Sequence, residues 1–387
     1  MLLAPALAGL GGLLWGFGIL GKRLGVQGAQ NHEKTIRATY TIFVYTLTTL
    51  IAPLIDFAST DRSLVKDTFT DEEWVRRIPV IIVCGLISGL GGVLGTIAFA
   101  WSAGVSSALI SMVENGMYTI SGAVLIALQF REHPSPFQYL SAALIVGGIL
   151  VAQISTGRPK RLLKQGSGEL DSNSSGSDGS NSDTIGSVES DESRESSSGS
   201  DSNAEPVAIA GRDSLDSLGS NASDSSIAPT LLRKRAVIFA VLAGICWGFG
   251  PVGKKYGVAD SPESLKHVRT TCTYLVYMSA TVWMPILKLL CSNRELRSTA
   301  IKDRGFQWLL AGTMCCGIVS GLGGLISTLA FAHSGGEGAL VSVIENGVYT
   351  VSGALMITVL FKEIPTKRQI ASACLVVVGL LVSFAGK

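Results

Sequence analysis

ALISMVENGMYTISGAVL at residues 108–125 returns, almost letter for letter, as ALVSVIENGVYTVSGALM at residues 339–356. Each copy places one acid, Glu114 or Glu345, inside an apolar run. The repeat extends outward from there. GLISGLGGVLGTIAFAWSAG at 85–104 matches GIVSGLGGLISTLAFAHSGG at 317–336, and WGFG at 15–18 matches WGFG at 247–250. Two copies of one unit, both too apolar for water, set the terms for the whole chain.

The chain has 387 residues, of which 47% are hydrophobic and 16% charged, and its mean hydropathy is +0.41. Soluble domains carry about 25% charge. Ten runs approach the roughly 20 apolar residues that a helix needs to span a bilayer. They are 3–21, 38–57, 79–101, 107–129, 136–155, 236–253, 270–290, 307–332, 338–360 and 369–385. Lipid offers backbone groups no hydrogen bonds, so runs of this length must be helices. The first run resembles a signal peptide but lacks a basic leader and recurs internally, so it is read as the first membrane helix. The expected class is an all-α membrane protein: ten transmembrane helices as two five-helix repeats.

The register between copies is 232 for Trp15/Trp247, Lys22/Lys254, Arg37/Arg269, Tyr45/Tyr277, Pro53/Pro285 and Thr96/Thr328. It becomes 231 after a turn near Ser106, for Glu114/Glu345, Asn115/Asn346, Tyr118/Tyr349 and Glu132/Glu363. Five helices per unit is an odd number, so the second unit enters the membrane from the opposite face. The repeats are therefore expected to be inverted about an axis in the membrane plane.

Expected domains are 1–157, a linker at 165–228, and 233–387. The linker is rich in Ser, Asp, Gly and Asn and nearly devoid of large apolar residues, a composition that cannot bury enough surface to fold. It contains acid-flanked serines such as Ser175 and Ser180, and sequons at Asn173 and Asn221. Phosphorylation and glycosylation there exclude one another by topology.

Glu114, Tyr118 and Ser121 share one helix face, as do Glu345, Tyr349 and Ser352. A carboxylate at membrane depth costs a few kcal/mol unless it meets a cavity or a partner. Two readings stay open. The acids couple transport or bind solute, or they are tied to Arg37 or Arg269 and fix packing. Asn115 and Asn346 extend the polar stripe. Trp15 and Trp247 line a cavity or serve ordinary packing. The glycines of the third and eighth runs permit close helix approach. Helices 1, 3 and 4 and their mates 6, 8 and 9 are the expected cavity walls. The fifth helix of each half belongs at the periphery or at a homodimer contact.

The seven cysteines form no CxxC or Cys/His cluster and are read as small buried apolar side chains, so no metal site is expected. There is no nucleophile elbow, no phosphate loop and no His in a helix interior, so no enzyme and no cofactor is expected. With a formal net charge of +2 and no basic aromatic patch, nucleic acid is excluded as a partner.

The end of each repeat carries the family likeness. An acid in the fourth helix is followed by small residues, then by Arg-Glu-His-Pro at 131–134 or Lys-Glu-Ile-Pro at 362–365, then by a short last helix with Gly147-Gly148 or Val378-Gly379. This resembles the drug/metabolite transporter (DMT) superfamily in its EamA-type repeat form. One departure is Asn115 and Asn346, where the family often has proline. The resemblance implies a membrane transporter for a small polar or amphiphilic metabolite working by alternating access, with proton coupling as an option. A sugar or divalent-cation permease of the same superfamily is the alternative. A membrane adaptor acting through a phosphorylated linker is the alternative of another class. Expected partners are a small-molecule solute and the bilayer. Counting the Lys and Arg that flank the runs, Arg194 and Arg212 within the linker apart, puts 19 on the linker's face and 10 on the face of the termini. The positive-inside rule then places the linker in the cytoplasm, whereas the resemblance favours cytosolic termini.

Overall fold

The computed structural model describes residues 3–29, 33–102, 107–132, 135–154, 227–361 and 367–385. These belong to one compact unit built jointly from residues 1–158 and 225–387. His32, the turn near Ser106, His133, Pro134, Glu363, Pro365 and nearly all of the expected linker lie outside the described residues.

Every regular element among the described residues is helical. In the first half these are α1 (Leu3–Gly25), α2 (Lys34–Thr49), α3 (Ile51–Ser59), α4 (Arg62–Thr70), α5 (Glu72–Ala100), α6 (Ser107–Phe130) and α7 (Pro136–Ile154). The second half has α8 (Ile227–Trp247), α9 (Phe249–Val258), α10 (Lys266–Leu290), α11 (Arg294–Lys302), α12 (Arg304–Ala332), α13 (Gly338–Phe361) and α14 (Lys367–Ala385). Eight helical stretches among the described residues are long and apolar enough to cross a bilayer. They correspond to the first four runs of each half. The fifth runs form α7 and α14, 19 residues each, and these two pack against one another.

Several expectations need correction. The run at 38–57 is two helices that meet at Leu50. Pro53 has no N–H for the Thr49 carbonyl and its ring crowds that carbonyl, so the ladder is interrupted there. The run at 236–253 likewise divides at Gly248, where Pro251 has no N–H for the carbonyl of Trp247, the last residue of α8. Its mate α1 carries Ile19 at the matching position and runs unbroken. Helix α8 begins at Ile227, inside the segment read as linker. The short helices α4 and α11 were not anticipated. They are amphipathic and begin at side-chain caps, Asp61 onto the Ser63 N–H and Asn293 onto the Glu295 N–H. Of the cysteines, Cys84, Cys272 and Cys316 are buried, but Cys291, Cys315 and Cys374 face outward.

The halves interdigitate. Helix α1 packs on α12 and α13, and α8 packs on α5 and α6. Two matched ion pairs bind them at the helix ends. Arg37 on α2 meets Asp303 at 2.6 Å, and Arg269 on α10 meets Asp71. Each aspartate also caps the long helix after it: Asp303 accepts from Gly305 and Phe306, Asp71 from Glu73 and Trp74. Trp74 in turn donates its indole N–H to the Gly257 carbonyl at 3.0 Å. Large apolar side chains such as Trp308, Leu128 and Val359 point outward, as they do where the surrounding solvent is lipid.

Candidate functional site

Helices α6 and α13 carry the two acids inward. Asn115 and Asn346 leave both helices continuous, since an asparagine keeps the N–H that proline lacks. Room for the acids comes from glycine. A Cβ on Gly95 of α5 would lie 2.8 Å from the Glu114 carboxyl carbon, so the glycine leaves that carboxylate the place it occupies. At the matching position α12 has Ser327 instead.

Each acid is paired within its own half. Lys22 on α1 donates to Glu114 at 2.7 Å, and Lys254 on α9 donates to Glu345 at 2.7 Å and to Ser327 at 2.7 Å. All four side chains are at most 3% exposed. Arg37 and Arg269, the partners weighed from sequence, sit instead at the helix ends against Asp303 and Asp71. A buried carboxylate without a counter-charge is strongly disfavoured, and the matched lysines answer that need.

These pairs line one cavity, with about 460 Å³ of space between its lining atoms, open mouth included. Its wall consists of six matched pairs, one member from each half: Trp15 and Trp247, Lys22 and Lys254, Tyr45 and Tyr277, Glu114 and Glu345, Asn115 and Asn346, Tyr118 and Tyr349. The aromatic contacts cross between halves. Trp15 meets Trp247 edge-on with ring centroids 6.5 Å apart and meets Tyr349 at 6.3 Å, while Tyr118 lies 6.5 Å from Trp247. The ammonium groups cross as well: Lys22 stands 5.2 Å over the Trp247 ring and Lys254 5.7 Å over that of Trp15. Such cation–π contacts strengthen when desolvated. The amides are tied to their own helices, Asn115 to Ser111 and Asn346 to Ser342.

The eight residues singled out from sequence therefore lie together. Four lining residues were missed: Lys22, Lys254, Tyr45 and Tyr277. The repeat register already contained them as matched polar pairs. The lysines were read as charges flanking a membrane run, because lysines near helix ends ordinarily reach for water. The polar stripe divides. Ser121 and Ser352 do not line the cavity, since Ser121 bonds the Gly244 carbonyl at 3.1 Å and Ser352 packs on Gly16. The wall is also different from the one expected. The second helices supply Tyr45 and Tyr277, and the third helices put no side chain into the lining.

A further contact spans the halves at one helix end. Glu132, just after α6, accepts from Gly338 N–H at 3.1 Å and Ala339 N–H at 2.9 Å, capping α13, and also pairs with Lys255. A carboxylate at a helix N-terminus satisfies free N–H groups and favours the dipole.

Two comparisons bear on what this bundle is. A solved structure reported as "Crystal structure of protein" aligns over 99% of this chain and 97% of its own, with a TM-score of 0.51 and 13% identity. At that identity the likeness is one of fold alone. A search of curated proteins finds no match. The sequence profile of the EamA-like transporter family matches residues 234–385 and points to a membrane transporter of the DMT type. The second helical half of this chain is thus similar to the EamA-like transporter family, and the chain is an integral, multi-pass membrane protein.

Proposed function

We propose that the chain is a secondary transporter that carries a small polar or amphiphilic metabolite by alternating access. Its ten helices form two inverted five-helix units, residues 1–157 and 233–387, with the cavity between them. One observation carries this reading: the cavity wall is made of six residue pairs, each pair contributed equally by the two halves. A site built on the repeat axis is the arrangement by which rocking of one half against the other exposes the same groups to either side. Matched inter-half contacts, Arg37 to Asp303 and Arg269 to Asp71, are consistent with it.

The buried Lys–Glu pairs also suit proton coupling. Protonating Glu114 or Glu345 would release its lysine and unbalance the charge around the solute. The test is uptake by the full chain in proteoliposomes across a pH series, with Glu114→Gln and Glu345→Gln. Either variant should flatten the pH dependence while remaining folded. Active variants that keep the wild-type pH profile would refute coupling. Failure of both to insert and fold would assign the pairs to packing.

A further inference from the structure

Helix α11 (Arg294–Lys302) lies between two membrane-spanning helices, α10 and α12, and its Leu296 and Ala300 pack with Ile36, Leu289 and Phe306. Ile36 stands at the start of α2, so α11 sits at that end of the membrane-spanning stretch Lys34–Ser59. Its repeat mate α4 (Arg62–Thr70) follows Ser59, at the other end. The two short helices do the same structural work: each starts at a side-chain cap, and each leads to the aspartate that caps the next long helix. Their charge differs. Residues 288–304 hold five basic side chains, Lys288, Arg294, Arg297, Lys302 and Arg304, against Glu295 and Asp303. At the repeat offset of 232 their mates are Asp56, Arg62, Val65, Thr70 and Glu72. Four of the five charges are thus missing from a copy that folds the same way, so the fold does not call for them.

We propose that α11 lies in the bilayer surface and gathers anionic phospholipid headgroups around this end of the bundle. Among the described residues, none of the five basic side chains makes an ion pair, and Asp303 is already taken by Arg37. At the α4 end the cations are satisfied within the protein: Arg76 by Glu72, Arg77 by Glu73, Lys266 by Glu263 and Arg269 by Asp71. Lys288, Arg294, Lys302 and Arg304 are exposed. So are Leu290, Ile301 and, at 80%, Trp308 near the start of α12. Cations beside large apolar side chains at the end of spanning helices offer the two contacts a lipid makes, one for its headgroup and one for its acyl chains. A soluble polyanion would answer the charges but leave Leu290, Ile301 and Trp308 in water. A zwitterionic headgroup brings an ammonium that opposes the cluster, whereas an anionic one brings net negative charge.

The test uses the full chain reconstituted in phosphatidylcholine vesicles with a trace of spin-labelled phosphatidylserine or phosphatidylcholine. Electron paramagnetic resonance then measures how strongly each lipid associates with the protein surface. Wild type should hold phosphatidylserine about fivefold more strongly, the factor for one headgroup charge meeting one basic residue, and high salt should erode the preference. The triple variant Arg294→Gln, Lys302→Gln, Arg304→Gln should lose most of it. Arg62→Gln with Lys66→Gln on α4 should keep it. Equal association of the two lipids with wild type would overturn the proposal. So would a preference that survives intact in the folded triple variant, or one that the α4 variant removes as fully. If the triple variant does not fold, Lys302→Gln alone, a change at an exposed side chain, should lower the preference, and an unchanged preference there would overturn the assignment to α11.

Discussion

Lys22 and Glu114 illustrate how much a single contact decides. Apart, each is a charge in a medium that resists charge; together at 2.7 Å they can both remain inside the bundle. Removing one partner of a buried pair costs about 3–5 kcal/mol, because the other is left uncompensated. Lys22→Met should therefore lower the melting temperature of the detergent-solubilised protein markedly. Adding Glu114→Gln to it should restore part of the loss, since no bare charge then remains. A Lys22→Met protein that melts with wild type would show that the pair contributes nothing to stability. The acids were legible as intramembrane oddities. Their partners were not, because a lysine twenty residues into a helical run looks like its polar end, and only the packing of α12 and α13 over α1 closes it off from water.

At the scale of the element, the close approach of α1 to α13 and of α8 to α6 seats the acids. A Cβ on Gly12 would collide with the Glu345 carbonyl, and one on Gly244 would lie 2.9 Å from the Tyr118 nitrogen. Backbone atoms cannot rotate aside as a side chain would. Gly12→Ala should destabilise the fold by about 1–3 kcal/mol, seen as a lower melting temperature. Gly9→Ala is the control: its Cβ meets nothing within 4 Å, so it should be neutral or slightly stabilising through helix propensity. Equal effects of the two would refute the packing argument. The helix breaks are also an element-scale matter. Pro251 divides α8 from α9 and Pro53 divides α2 from α3, yet α10 runs continuously through Pro285, the mate of Pro53. Proline in a run marks where a break is available, and the neighbours decide whether it is taken.

For the whole molecule, the paired latches Arg37–Asp303 and Arg269–Asp71 join the halves at the ends of their long helices. The Phe306 N–H, with that of Gly305 and the Arg37 guanidinium, holds Asp303 below the ordinary carboxylate value despite some burial. For Asp71 burial pushes upward, but the Trp74 and Glu73 N–H groups and Arg269 together outweigh it, and it too is lowered. A carboxyl whose pKa is lower folded than unfolded stabilises the fold above its unfolded value of about 4, and that contribution disappears as pH falls through the lowered value. Melting temperature should thus decline on acidification below about pH 5. Asp71→Asn with Asp303→Asn retains capping ability but removes the charge. That double variant should melt lower at neutral pH and show a shallower acid limb. An acid limb identical to wild type would place the acid sensitivity elsewhere.

The sequence by itself determined that this chain is a helical membrane protein made of two matched units, because lipid leaves a long apolar run one way to satisfy its backbone and a register of 232 or 231 is visible without coordinates. It also marked Glu114, Glu345 and their polar neighbours, since charge inside an apolar run is conspicuous. Tertiary structure alone decided which charges meet. Sequence distance says nothing about whether Glu114 faces Lys22 or Arg37, and both were matched basic residues of the repeat. Helix rotation and crossing settled it, bringing the lysines under the other half's tryptophans and sending the arginines to the helix ends. The same packing put Ser121 against α8 rather than in the cavity, because three residues of helical advance carry it up to the Gly244 contact.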